Sequence, residues 1–84
     1  MSELDTAARD LIARYRHCRL EFQRGRIGLL EHSRERRALL RDFEARDPEI
    51  VNRAIELLDA ECSHSVADNG FRADAFRLFE ASRR

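Results

Sequence analysis

The stretch "FQRGRIGLLEH", from Phe22 to His32, decides the fold because it holds two of the chain's three glycines. Gly25 and Gly28 lie three residues apart, and arginines flank Gly25 on both sides. A phosphate-binding glycine loop needs a buried strand before it, and here the preceding segment has a helical pattern and the spacing fits no such loop. Two poor helix residues between apolar periodic segments predict the turn of a helical hairpin. We therefore interpret the stretch as a hinge.

The segments on both sides of the hinge have the apolar periodicity of helices. Before it, apolar residues alternate at four-three spacing at Leu4, Ala8, Leu11, Tyr15, Cys18 and Phe22. This spacing places one apolar stripe along a helix over about residues 4–24. After the hinge, a second helix over about residues 28–46 has apolar ends and the charged middle "EHSRERR". The two helices are expected to form a hairpin.

A proline marks the start of the third helix. In "RDPEI", Asp47 suits the N-cap, Pro48 the first helical position and Glu49 the positive end of the helix dipole. The third helix is predicted over about residues 48–62, and the polar stretch "SHSVADNG" then leads to a fourth helix over about residues 71–82. The sequence thus predicts an all-α fold, a small antiparallel bundle of three to four helices in a single domain, residues 1–84.

Composition and charge favour a soluble chain with balanced charge. The 84 residues contain sixteen arginines, no lysine and sixteen acids, and the N-terminal half is more basic than the C-terminal half. No apolar run is long enough to cross a bilayer, so we expect a cytoplasmic protein without a membrane partner. Acid-before-arginine pairs at i,i+4 spacing are expected on solvated helix faces. These pairs are Asp10–Arg14, Asp42–Arg46, Glu49–Arg53 and Glu80–Arg84.

The two cysteines, Cys18 and Cys62, lie near histidines but lack the spacing of a zinc site. His17 and Cys18 are adjacent, so on a helix their side chains diverge by about 100°. We predict that both cysteines are free thiols buried on apolar helix faces, and that the chain holds no metal and no cofactor. A pairing of Cys62 with His64 lacks an orienting acid. We therefore predict no catalytic residues, no enzymatic activity and no small-molecule substrate.

The apolar side chains exceed what one small bundle is expected to cover. Leu20 lies off the main stripe of the first helix, so full burial would need neighbours on two sides. The sequence thus predicts a non-enzymatic helical module for protein–protein interaction, an adaptor, regulator or chaperone-like accessory protein. It would act as a homodimer or with a dedicated protein partner. The candidate partner-binding residues are Leu11, Tyr15, Leu20, Phe22, Phe76 and Phe79.

A nucleic-acid-binding regulator is the alternative. Its contacts would come from an arginine-rich hairpin, or from a degenerate helix-turn-helix in which "DPEIVNRAI" begins the recognition helix. Glu49 and Glu56 on that helix would repel phosphates, and the neutral net charge lacks the basic surplus of phosphate binders. The candidate anion or nucleic-acid contacts are Arg24, Arg26, Arg34, Arg36 and Arg37.

Overall fold

The computed structural model of this chain describes residues 2–82, which form four helices and no strand. The helices are α1 (Glu3–Gln23), α2 (Leu29–Arg46), α3 (Glu49–Ala60) and α4 (Val66–Ser82). The first helix packs against the other three, and its apolar stripe lies at the centre of the core. The all-α class and the small bundle of three to four helices predicted from the sequence are thereby confirmed, with four helices.

The hinge closes α1 with a glycine in the left-handed conformation. Gly25 has a φ of 73°. Its N–H donates to the carbonyl of Phe22 at 3.0 Å, and the N–H of Arg26 donates to the carbonyl of Glu21 at 3.0 Å. This pair of hydrogen bonds is the Schellman motif that ends many helices. Gly28 follows with extended backbone and precedes α2, so the predicted helical hairpin is confirmed.

Helix α3 begins at Glu49, directly after Pro48, and ends at Ala60, two residues before the expected end at Cys62. Asp47 Oδ1 accepts the N–H of Glu49 at 3.0 Å, as a capping residue does. At the other end, Cys62 has a φ of 53° and lies outside the helix. A second Schellman motif forms there, because Cys62 N–H donates to Asp59 and Ser63 N–H donates to Leu58, both at 3.0 Å.

The position of Cys62 corrects the prediction that both thiols are buried. Cys18 is buried as expected, but Cys62 is exposed. The prediction was wrong for Cys62 because the apolar periodicity of α3 was extended through a residue whose backbone has already left the helix. A residue in the left-handed conformation no longer follows the helical repeat, so its side chain points away from the apolar face.

Helix α4 begins five residues before the expected start at Phe71. The polar stretch assigned to a connection instead supplies the first turn, in which Ser65 Oγ accepts the N–H of Asp68 at 3.1 Å. Gly70 therefore lies inside the helix, where a Cβ would stand 3.4 Å from the Tyr15 hydroxyl. The polar residues that resembled a loop therefore form the start of α4, where Ser65 caps the first turn and Asp68 forms an ion pair with Arg16.

Candidate functional site

A buried carboxylate joins α4 to α1. Asp68 is 2% exposed. It accepts two hydrogen bonds from the Arg16 guanidinium, at 3.0 and 2.8 Å, and another from the Ser63 hydroxyl. These bonds, those from Arg16 above all, lower the pKa of Asp68 to about 2, so the carboxylate remains charged at neutral pH. Asp68 and Arg16 thus form an ion pair that holds α4 against α1.

A second polar cluster joins three helices. The Tyr15 hydroxyl of α1 donates to Asp74 Oδ2 of α4 at 2.6 Å. Arg36 of α2 approaches the same oxygen, with its Nε at 3.7 Å. Burial and the neighbouring carboxylate raise the pKa of Tyr15, so its hydroxyl keeps its proton. Sequence reasoning missed both acids, because each pairs with residues far away along the chain.

The buried thiol lies beside a histidine and a glutamate on α2. Cys18 Sγ is 3.5 Å from His32 Nδ1 and 3.6 Å from Glu35 Oε2, and the Phe22 ring stacks on His32 at 4.6 Å. Burial raises the pKa of Cys18 to about 11 and lowers the pKa of His32. Cysteine nucleophiles react as thiolates. This environment favours the neutral thiol, and the cluster is best explained as packing between α1 and α2.

The arrangement of acids and cysteines forms no metal site in the described chain. Within residues 2–82, no group of three or more histidine, cysteine, aspartate or glutamate side chains is placed to hold a metal ion. Cys62 is exposed to solvent, whereas Cys18 is buried. A site that uses both sulfurs therefore has no support in this geometry.

Exposed apolar side chains concentrate at one end of the bundle. In the described part of the chain the large exposed apolar residues are Leu20, Leu29, Leu30, Val66 and Phe76. The first four belong to the end at which α1 finishes and α2 and α4 begin. Leu20 and Val66 line one surface hollow together with Ala67. We call Leu20, Leu29, Leu30 and Val66 the apolar end.

The structure separates the six candidate partner-binding residues into three groups, which are buried, half-buried and exposed. Leu11 and Tyr15 are 0% and 2% exposed, so they belong to the core and cannot contact a partner in this fold. That part of the prediction was wrong, because α3 and α4 cover the face of α1 that carries them. Phe22 and Phe79 are half-buried, whereas Leu20 and Phe76 are exposed, at 39% and 62%.

Sequence reasoning missed three residues of the apolar end. Leu29 and Leu30 are 68% and 64% exposed, and Val66 is 68% exposed. The signal available for Leu29 and Leu30 was their position in the first turn after the hinge, where the facing helix α1 has already ended. Val66 had no such signal, because it was assigned to a loop.

The five candidate arginines do not form one surface. Arg36 points inward to Asp74 with its side chain 20% exposed, and Arg26 lies 3.6 Å from Glu21. Arg24 is exposed at the hinge. Arg34 and Arg37 are exposed one turn apart on α2. Their face continues to Arg41, a residue that the sequence analysis did not select.

The expected ion pairs within helices form only in part. Asp10 and Arg14 pair, with Arg14 Nε 3.1 Å from the carboxylate. Arg53 instead pairs with Asp5 of α1 and Glu56 of its own helix. The expected pair between Glu80 and Arg84 lies outside the described residues. Many arginines therefore connect helices rather than coat a single helix face.

Comparison with protein-family models, with curated proteins and with solved structures finds no match to this chain. The helices within residues 2–82 include none whose length and apolar character would let it span a bilayer. The distribution of exposed apolar and charged side chains is therefore the basis for a functional proposal.

Proposed function

We propose that this chain is a small non-enzymatic helical module for protein–protein interaction, which buries its apolar end against another protein surface. The observation that supports this function is the concentration of four exposed apolar side chains, from three helices, at one end of the bundle. Together they expose apolar surface on the order of a few hundred Å², the size at which such patches become functional contacts. An adaptor or regulator would use such a surface.

We favour a second copy of the chain as the partner. The alternative partner is a dedicated protein of a different sequence. The exposed charges near the apolar end have both signs, because Arg24 belongs to the hinge and Glu31 to the first turn of α2. In a two-fold contact the same patch faces itself, so Arg24 of one copy can approach Glu31 of the other. Such a patch would be complementary to itself in charge.

The experiment is a sedimentation measurement on the full chain and a double variant, Leu29→Glu with Leu30→Glu. Carboxylates in the first turn of a helix interact favourably with its dipole, so the variant should fold. The same carboxylates would be desolvated in an interface, so association should be lost. The matched control is Ala38→Glu with Ala45→Glu, which adds the same charge at exposed positions further along α2.

Association of the unmodified chain and of the control, with loss in the Leu29→Glu and Leu30→Glu variant, would support self-association. Sedimentation at the 9.9 kDa of a monomer at every concentration would exclude the second copy. The dedicated partner would then have to be captured by the unmodified chain and the control but not by the double variant. If the chain neither self-associates nor captures another protein through the apolar end, the proposed function is overturned.

The nucleic-acid-binding alternative has weaker support. Of its five arginines, Arg36 is engaged with Asp74 and Arg26 with Glu21, so few guanidinium groups remain near the hinge. A salt titration of binding to random duplex DNA tests it, because affinity that depends on phosphate contacts falls steeply as salt rises. Absence of binding at low salt would remove this alternative.

A further inference from the structure

We propose that the groove between α2 and α4 binds an acidic amphipathic helical segment of a partner protein. The groove has a rim of arginines and an apolar floor, formed by Arg37, Arg41, Arg77, Leu40, Leu78 and Ala81, and Asp74 also lines it. Its volume of about 290 Å³ accommodates a row of side chains and is small for a large cofactor. We call it the arginine groove.

The guanidinium groups of the rim are available to an external acid. Within residues 2–82, Arg37 and Arg41 are exposed and have no acidic partner. Arg77 has a side chain that is 73% exposed, and it approaches Asp74 only to 4.0 Å. Asp74 is already engaged by the Tyr15 hydroxyl and the Arg36 guanidinium, so it neutralises little of the charge of the rim.

The spacing of the rim matches a helical ligand. Arg37 and Arg41 stand at i and i+4, so they lie on one face of α2, one turn or about 6 Å apart along its axis. A ligand helix of two to three turns presents apolar side chains at the same spacing, with acids on either side of them. Its leucines would lie on the apolar floor while its carboxylates meet the guanidinium forks, which bind them bidentately.

Charge complementarity argues against a second copy as the occupant. Across a two-fold axis the arginine rim would face itself, and like charges would repel. Three of the four acids of α3 and its C-cap are engaged in ion pairs within the chain, and the fourth, Glu49, is exposed. These ion pairs are Asp59–Arg72, Glu61–Arg9 and Glu56–Arg53. The occupant is therefore a different protein whose own helix carries the acids.

Nucleic acid fits the arginine groove less well than an acidic helix. Glu80 is exposed three residues after Arg77, and Glu44 lies three residues after Arg41. A continuous phosphate backbone that follows either helix would meet these carboxylates. The apolar floor contributes nothing to phosphate binding, but it offers burial to leucine side chains.

This inference goes beyond the proposed self-association, because the groove and the apolar end share no residue. The proposal of self-association and the proposal for the arginine groove can therefore fail independently. Sedimentation of each sample reports on the apolar end, and peptide binding reports on the groove.

The test is fluorescence anisotropy with the full chain and a labelled three-turn helical peptide. The peptide has leucines at i, i+3, i+4 and i+7 and glutamates flanking them, and a matched peptide has lysine for each glutamate. We expect the glutamate peptide to bind at least about tenfold tighter than the lysine peptide. Arg41→Glu should weaken binding about tenfold, whereas Arg14→Glu, the same charge change at a side chain of α1 that is 63% exposed, should change it less than about twofold.

Three results would overturn the inference. The first is no saturation of the glutamate peptide below about 1 mM, a limit that leaves no useful affinity. The second is equal weakening of binding by Arg41→Glu and Arg14→Glu, which would indicate a general charge effect. The third is tighter binding of random duplex DNA than of the peptide, with loss of that affinity in Arg41→Glu, which would assign the groove to nucleic acid. Circular dichroism of both variants verifies that each remains helical.

Discussion

Two left-handed residues, Gly25 and Cys62, end α1 and α3 with the same pair of backbone hydrogen bonds. Glycine adopts this conformation without strain, because it has no Cβ to approach the following carbonyl oxygen. In any other residue the approach costs about 1–2 kcal/mol. Cys62 therefore weakens the end of α3 at a position where glycine would relieve the strain.

We predict that Cys62→Gly raises the free energy of unfolding by about 0.5–1 kcal/mol, measured by urea denaturation. The gain is smaller than the strain because glycine also gives the unfolded chain more freedom. Cys62→Ser, which keeps the Cβ, should stay close to the unmodified chain. Equal stability of the glycine and serine variants would show that the conformation of Cys62 is not strained.

The two thiols should differ widely in reactivity. Cys62 is exposed, whereas Cys18 is buried and its pKa is raised to about 11. Near neutral pH a small thiol reagent should therefore modify one cysteine quickly and the other only as fast as the bundle opens locally. Cys62→Ser should remove the fast phase and Cys18→Ser the slow one. Two fast phases would contradict the buried position of Cys18.

At the scale of an element, the first turn of α4 depends on Asp68. Asp68→Asn removes the charge that Arg16 and Ser63 recognise and keeps the size of the side chain. We expect this variant to lose about 2–3 kcal/mol of stability, because it breaks a buried charge pair. Asp59→Asn is the matched control, since Asp59 of α3 also pairs with an arginine of another helix, Arg72 of α4, but its side chain is 60% exposed. It should lose less than about 1 kcal/mol.

The same carboxylate makes stability depend on acid pH. Its folded pKa is about 2, and an unfolded aspartate has a pKa of about 3.9. The unfolded chain therefore binds the proton more readily, so stability is retained above about pH 4 and falls as the pH drops toward 2. Urea denaturation across this range should show a steeper loss for the unmodified chain than for Asp68→Asn. Parallel curves would assign the acid sensitivity to other carboxylates.

The elements that could be predicted from the sequence are those with a local signal. The apolar stripe of α1, the hinge glycines and the Asp47–Pro48 start of α3 all depend on neighbours within a few residues, so their pattern is visible in the chain. The start of α4 depends on Arg16, which contacts Asp68 from 52 residues away. A polar residue has the same appearance in a sequence whether its partner is water or a distant guanidinium group.

At the scale of the whole molecule, the position of each helix end decides which apolar residues remain exposed. Leu11 and Leu20 lie on the same helix and have the same chemistry, but α3 and α4 cover the first and leave the second 39% exposed. Periodicity identifies an apolar face without showing how far its neighbours extend along it. The sequence could therefore indicate that some apolar side chains stay exposed, and of the apolar end it named Leu20 as a candidate.

Self-association through the apolar end should make thermal stability depend on protein concentration. A contact that forms only between folded chains stabilises them by mass action, so the melting temperature should rise with each tenfold increase in concentration. Leu29→Glu with Leu30→Glu should abolish this rise, while the control Ala38→Glu with Ala45→Glu keeps it. The low-concentration melting temperature of the Leu29→Glu and Leu30→Glu variant should equal or exceed that of the unmodified chain, because both carboxylates lie at the positive end of α2. A melting temperature that is independent of concentration for the unmodified chain would exclude the second copy and leave the apolar end to a different protein.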